Sequence, residues 1–554
     1  MTKRQTFFLD LLLLTLFAGF VFTFMAGGRP LSAPDEGRYT EIAREMLATH
    51  DFVTPRLNGV KYFEKPPFVY WMTALTQKVF GIQEWAMRLV PALMALFGVL
   101  GVYAFGRRFF GRAAGLWAGT LLATSTLYFA LARLLILDMA VCTWMALALL
   151  SFGAAYAEEA PRRRRVLLGG FFASMALAVL TKGLIGAVLP GCAILVWAAC
   201  LGSLRPVRLA FTPWGIALFF LIAAPWHILA SLKNPEFAQF YFIHEHFERY
   251  LTTVHGRFQP LWFFVPVLLV GLLPWTPFVV GSLKEPWQRV KNAFRNKDAS
   301  APDAAFMLLM IWSIFMFGFF SASKSKLIPY ILCIFHPLAV MTGVFLARDS
   351  VPGVEIRRIG RTVAAVLWVL AVAVPIALFA QDILGEGAFA PVWLALVAFL
   401  GVMGALFLTT TSWQRLRVQT LVTGLGFLFL LNAAWPHLDT RSVKSFVPLI
   451  EAGRKDGARL VAFERYYQDL PPYLGQTITV VNWQGELAFG MGVEDTGAWM
   501  MSRQHFLKVY RGGGVFYIIT SVDFVARLEA LLGEKLQEVA RTKKEILLTS
   551  GPRP

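Results

Sequence analysis

The stretch FFLDLLLLTLFAGFVFTFMAGGRPLSAPDEGRYTEIAREM, residues 7–46, decides the fold class. It begins with an apolar run of membrane-spanning length, which needs about 20 residues. It then passes at once into APDEGRYTEIAREM, Ala33 to Met46, which carries six charged side chains. A greasy span followed by a charge-dense external segment is the pattern of a membrane protein that holds polar chemistry at the bilayer edge.

Composition agrees over the whole 554 residues: 57% are hydrophobic, 14% aromatic and only 16% charged, with a mean hydropathy of +0.58. Soluble domains carry roughly 25% charged residues. Further apolar runs fall near 87–106, 112–131, 134–156, 166–181, 183–201, 209–230, 260–281, 305–321, 327–347, 362–380, 389–410 and 417–435. Together with 7–25 they predict a polytopic α-helical membrane protein of about 13 spans. The first run has basic residues ahead of it and no small-residue cleavage site behind it, and is expected to remain as an uncleaved span.

The net charge of +18 sits mostly in alternate loops: GRRFFGR, EEAPRRRR, SLRPVR, KEPWQRVKNAFRNK, RDSVPGVEIRRIGR and SWQRLR. Lys and Arg concentrate on the cytoplasmic side of short loops. The basic balance therefore reports membrane orientation and not nucleic-acid binding. It places the opposite loops, including roughly 26–86, outside, and an odd number of spans leaves the C-terminal segment there too. Cys142, Cys192, Cys200 and Cys333 all lie in apolar runs without metal spacing, and read as small core residues.

The expected organisation is a transmembrane domain over 1–435, with an external loop near 26–86, followed by a domain over 436–554. In the latter, ARLVAF, TITVV, VFYIIT and EILLTS alternate with helical patterns, which predicts a small α/β domain. RGGGV, Arg511 to Val515, lacks the Lys-Ser/Thr of a phosphate loop and reads as a turn before a strand.

The external loops hold the unusual residues. Pro34 and the acids after it predict a helix start, and Asp35, Arg38 and Tyr39 then share one face at i, i+3 and i+4. Glu41, Arg44 and Glu45 read as solvated. KYFEKPP adds Tyr62, Glu64 and Lys65 ahead of an amphipathic aromatic helix. ARLLILDMAV places Arg133 and Asp138, TKGLIG Lys182, YFIHEHFERYLTTVHGRF Glu245, His246 and Arg249, and SASKSKLIPY Lys324, Lys326 and Tyr330 at the outer ends of spans. A carboxylate in such apolar surroundings is costly unless it is paired or faces water. Together these residues predict an outer cavity with carboxylates and several cations. Cations stabilise a phosphate leaving group as its charge develops, and a carboxylate activates a nucleophile or binds a cationic sugar. Sugar transfer from a polyprenyl-phosphate donor fits this set, and ATP-driven chemistry does not.

The external Asp35-Glu36 pair after a first span resembles the membrane glycosyltransferases of the type C fold, relatives of the protein O-mannosyltransferases. Within that group APDEGRYTEIAREM, GVKYFEKPPFVYW, ARLLILDM, LTKGLIG and EHFERY resemble the 4-amino-4-deoxy-L-arabinose lipid A transferases. The resemblance implies transfer of the aminosugar from undecaprenyl phosphate to a lipid A phosphate at the periplasmic face of a Gram-negative inner membrane, with resistance to polymyxin and other cationic peptides. It implies catalytic roles for Asp35, Asp138 and Glu64. It implies substrate or phosphate contacts for Arg38, Tyr39, Tyr62, Lys65, Lys182, Arg249 and Tyr330. No cofactor is required on this reading, and the partners are the lipid-linked donor, lipid A and membrane lipids, with the chain a monomer. Glu64 and His246 stand as candidate ligands should a divalent metal take part, although no His pair has metal spacing. The alternatives are a related enzyme moving mannose or another hexose, and a transporter of a lipid-linked sugar. A transporter would place its ionisable groups near mid-membrane and not at the outer ends.

Overall fold

The computed structural model describes residues 2–242, 258–296, 300–380, 390–438, 441–455 and 457–551. The chain divides into two compact units. One comprises Met1–Ala26, Arg88–His227 and Ile243–Leu438. The other comprises Gly27–Met87, Ile228–Phe242 and Asp439–Pro554, so the first external loop is grouped with the C-terminal segment.

The first unit is a helix bundle, and the chain is a multi-pass membrane protein. Among the described residues ten helices are long and apolar enough to cross a bilayer, or eleven if one bent pair counts as a span. The remaining expected spans are shorter or broken. The run near 112–131 is two helices, Arg112–Thr124 and Thr126–Leu131, separated at an extended Ser125. Thr126 donates its backbone N–H to the Leu273 carbonyl instead of continuing the ladder. The run near 183–201 is the 17-residue helix Ile185–Leu201. The run near 260–281 bends by 112° between Leu261–Gly271 and Thr276–Ala293. Pro274 lies in that break and Pro277 in the next first turn, where a missing N–H is harmless.

Two features tie the bundle together. A side chain at Gly106 would lie 3.0 Å from the Gly115 Cα, and one at Gly343 would lie 2.5 Å from the Ala114 carbonyl. Small residues thus let these backbones approach closely, as membrane helix pairs require. Asp10, fully buried in the first span, accepts hydrogen bonds from Arg107 at 2.6 Å, Arg112 at 2.7 Å and Tyr103 at 2.7 Å. Removing a cationic partner from a buried carboxylate is strongly destabilising.

The second unit contains a hairpin, β1 (Arg56–Leu57) and β2 (Val60–Lys61), and a six-stranded sheet. The sheet is made of β3 (Arg459–Phe463), β4 (Thr479–Val481), β5 (Met500–Met501), β6 (Phe516–Ser521), β7 (Gln537–Arg541) and β8 (Glu545–Thr549), in the order β5-β4-β3-β6-β8-β7. The first four of this order run parallel, and β8 and β7 pair antiparallel at the other edge. Val461, Phe463, Val481, Phe506, Phe516, Ile518, Leu528, Ile546 and Leu548 form its core. The four strands read from sequence are β3, β4, β6 and β8. The RGGGV segment is a turn entering β6, with Gly513 and Gly514 at φ +85° and +108°. The sequence reading missed β5, two residues long, and β7, whose QEVAR pattern is only half-buried.

Candidate active site

Asp35 and Glu36 open the helix Asp35–Thr49 directly after Pro34, and carboxylates there complement the positive end of the helix dipole. The helix ends at His50 in a left-handed conformation, φ 55°. Its first turn carries the first group of candidate residues. Asp35 Oδ1 accepts from Arg38 Nη1 at 2.9 Å, and the Arg38 guanidinium lies 5.8 Å from the Tyr39 ring centre. The opposite edge of the guanidinium is clamped by Glu486, with Nε donating to Oε1 at 3.0 Å and Nη2 to Oε2 at 2.5 Å. Gln468 Nε2 donates to Glu486 Oε1 at 3.1 Å.

The Arg38 side chain is 12% exposed and Glu486 16%, while Asp35 is 48% exposed and open to an incoming group. Burial opposes the Arg38 charge, but the fields of Tyr62, Glu486, Tyr39 and Asp35 outweigh it and hold the guanidinium well above its usual range. Burial pushes the Glu486 carboxyl up, with Arg38 and Gln468 offsetting part of that. Arg38 is therefore a permanent cation held between two carboxylates. Glu486 escaped the sequence reading, because nothing in GELAF marks a residue whose partner lies 448 positions earlier.

The rest of the helix differs from expectation. Glu41 is fully buried and Glu45 is 4% exposed, so neither is the solvated residue that a charged helix face suggested. Arg44 grips Glu41 through Nε at 2.7 Å and Nη2 at 2.6 Å. Glu45 accepts from the Gly59 N–H at 2.9 Å. Burial raises the carboxyl of Glu41 well above the usual range despite Arg44, and it raises Glu45 as well. The amphipathic pattern failed here because the apolar face is not the only one covered. A side chain at Gly37 would lie 2.4 Å from the Asp469 backbone nitrogen, which shows how closely the helix packs on the segment after β3.

The hairpin sets the second group. Asn58 and Gly59, both at positive φ (54° and 78°), make the two-residue turn that Asn-Gly favours, a signal the sequence reading passed over. The Asn58 side chain bridges to both the Ile478 carbonyl, at 3.0 Å, and its N–H, at 2.8 Å. Lys61 on β2 pairs with Glu236 at 2.7 Å. The chain then leaves the hairpin through Tyr62, Glu64 and Lys65, and Lys65 Nζ donates to the Glu64 carbonyl at 2.6 Å. Tyr39, Tyr62 and Tyr70 are buried, with the rings of Tyr39 and Tyr70 5.7 Å apart. Burial drives the Tyr62 and Tyr70 hydroxyls well up, aided at Tyr62 chiefly by Glu64 and at Tyr70 by Tyr39. Both phenols stay protonated, and so remain able to donate.

In the helical unit, Asp138 sits in the first turn of Leu137–Tyr156, Lys182 is the last residue of Pro161–Lys182, and Tyr330 lies in the 3-10 segment Ile328–Ile334. A carboxylate at a helix start and a cation at a helix end each complement the local dipole. The structure brings the three together: Lys182 is ion-paired with Asp138, and its Nζ lies 4.8 Å from the Tyr330 ring centre. Arg133, a few residues before Asp138 in sequence, donates to the Phe22 carbonyl at 2.9 Å and to Asn432 Oδ1 at 2.8 Å. Its contacts are those of a residue closing the end of the first span. Arg249 and His246 lie outside the described residues. Among the described residues no three His, Cys, Asp or Glu side chains are grouped to hold a metal ion.

Comparison with known proteins adds a second line. Residues 7–241 match the dolichyl-phosphate-mannose-protein mannosyltransferase family, and residues 446–550 match the aminoarabinose transferase C-terminal domain. The undecaprenyl phosphate-alpha-4-amino-4-deoxy-L-arabinose arabinosyl transferase of Edwardsiella ictaluri is 28% identical over 506 residues, covering 86% of this chain and 87% of that protein. The protein of the same name from Aeromonas hydrophila is 27% identical over 532 residues, 92% and 93% of the two chains. The crystal structure of ArnT from Cupriavidus metallidurans bound to undecaprenyl phosphate superposes with a TM-score of 0.79 at 28% identity, over 98% of this chain and 99% of that one.

Proposed function

Since the chain belongs to the aminoarabinose arabinosyltransferases of the type C membrane glycosyltransferase fold, we propose that it moves 4-amino-4-deoxy-L-arabinose from undecaprenyl phosphate to a phosphate of lipid A. The observation that carries this reading is the correspondence along nearly the whole chain, in sequence and fold, with a protein crystallised on undecaprenyl phosphate. The two residue groups supply chemistry that suits it.

In the transfer, the bond from the sugar C1 to the donor phosphate oxygen breaks and a bond from C1 to an acceptor phosphate oxygen forms. Undecaprenyl phosphate departs with the bonding electron pair. Lys65, Lys182 and Arg249 are assigned to the phosphate charges, with the Tyr39, Tyr62 and Tyr330 phenols as further polar contacts. Asp138 holds Lys182 in place. An acceptor phosphate is already ionised near neutral pH, so proton abstraction by Asp35 gains little. Asp35 is instead assigned to orienting the acceptor and stabilising positive charge on the sugar, with Arg38 fixing its carboxylate and Glu64 facing the aminosugar. The spans and interfacial aromatics accommodate the polyprenyl tail.

The alternation of basic loops supports a reading in which this chemistry lies at the periplasmic face of the inner membrane, the chain acts as a monomer and no cofactor is required. The product carries less negative charge, which weakens binding of polymyxin and similar cationic peptides. The test is mass spectrometry of lipid A from cells expressing wild-type protein or Asp35→Asn. The aminosugar adduct is expected with the former and lost with the latter at equal membrane abundance. Wild-type levels of modification by Asp35→Asn overturn the assignment, and rescue of chelated enzyme by one divalent ion overturns cofactor independence.

A further inference from the structure

Two of the four cysteines, distant in sequence, meet inside the helical unit. Cys142 lies four residues after Asp138 on Leu137–Tyr156, one helical turn inward. Cys333 lies three residues after Tyr330 on Ile328–Ile334. Both are buried, at 2% and 1% exposure, and their Sγ atoms are 3.0 Å apart. The Cys333 sulfur also approaches the Tyr330 carbonyl at 3.6 Å. A disulfide requires an Sγ–Sγ distance of about 2.05 Å, so a movement of roughly 1 Å separates this contact from a bond. The other two cysteines, Cys192 and Cys200, are eight residues apart on Ile185–Leu201, about 12 Å along a helix axis, and cannot pair with each other.

We propose that Cys142 and Cys333 are a redox pair that closes to a disulfide, fixing the elements carrying Asp138 and Tyr330 on either side of Lys182. One thiolate attacks a disulfide oxidant to give a mixed disulfide and a released thiol. The second thiolate then displaces the remaining oxidant sulfur. Two thiol protons leave, two electrons pass to the oxidant, and it departs as a dithiol. The pair lies near the outer ends of its helices, and an extracytoplasmic compartment supplies such oxidants. That supply rests on the outward orientation proposed above, whereas the pairing itself does not depend on the transfer reaction. Since both sulfurs are enclosed in the folded bundle, the bond forms as the helices assemble and is thereafter shielded from small reductants.

The full-length protein tests this without an activity assay. Cells are lysed into N-ethylmaleimide, the purified protein is unfolded in detergent with more of the reagent, and it is then reduced and labelled with a maleimide of different mass. Two of the four thiols are expected to take only the second label, and peptide mapping is expected to place it on Cys142 and Cys333. Cys333→Ser is expected to move Cys142 to the first label and to lower the apparent melting temperature by about 5–10 °C. First-label modification of all four thiols overturns the proposal, as does second-label protection that survives Cys333→Ser. Equal melting of wild-type protein assembled in cells under oxidising and under reducing conditions, with the thiol state of each verified by the two labels, overturns the fixing role.

Discussion

Replacing Glu486 by Gln isolates what the C-terminal segment contributes to the site. The substitution keeps size and one acceptor but removes the charge facing Arg38, which Glu486 grips through contacts of 3.0 and 2.5 Å. Breaking a buried ion pair by removing one partner costs about 3–5 kcal/mol. Two features reduce that figure: Gln still accepts from Nε, and Asp35 still faces the guanidinium. The Asp35 contribution is small, because a half-exposed carboxylate at i, i+3 supplies only about 0.2–1 kcal/mol. The expected loss is about 2–3 kcal/mol, read as a fall of roughly 5–10 °C in the melting of the second unit. With its more buried partner gone, Arg38 is free to swing onto Asp35, and transfer is expected to drop at least about tenfold, equivalent to about 1.4 kcal/mol of barrier. The assay is a cycle of Glu486→Gln, Arg38→Gln and the double variant, each measured for melting and for sugar transfer. The double variant removes both buried charges, so its loss is expected to fall short of the summed single losses by at least about 1 kcal/mol. Strict additivity, or a Glu486→Gln protein that melts and transfers like wild type, refutes the clamp.

Two further outcomes follow from the same unit. Gly37→Ala places a Cβ 2.4 Å from backbone, which cannot yield as a flexible side chain would. A loss of about 3 kcal/mol is expected in thermal or urea melts, and unchanged stability would contradict the close packing on Asp469. Glu41 and Glu45 carry raised carboxyls, so the folded unit holds protons that the unfolded chain releases. The stability they supply is full below the ordinary carboxyl value of 4.5 and is lost as pH rises through their folded values. Glu41→Gln, which mimics the protonated form, is expected to flatten the decline in melting temperature between pH 5 and 8. Parallel curves for variant and wild type would refute this.

The sequence by itself determined the membrane class, the placement of nearly every span and the α/β character of the C-terminal segment. These are properties of composition and period: an apolar run must be about 20 residues to cross a bilayer, and a charge at its end is costly enough to be noticed. The tertiary structure alone decided the partners. Nothing local distinguishes Glu41 and Glu45, which are buried, from solvated acids on a helix, or Arg133, which caps backbone carbonyls, from a phosphate ligand. Glu486 gained its role, and Cys142 its contact with Cys333, only when folding closed gaps of 448 and 191 residues. Charge, length and periodicity are carried by the chain itself, whereas the pairing of one buried group with another depends on which distant segment the packing brings beside it.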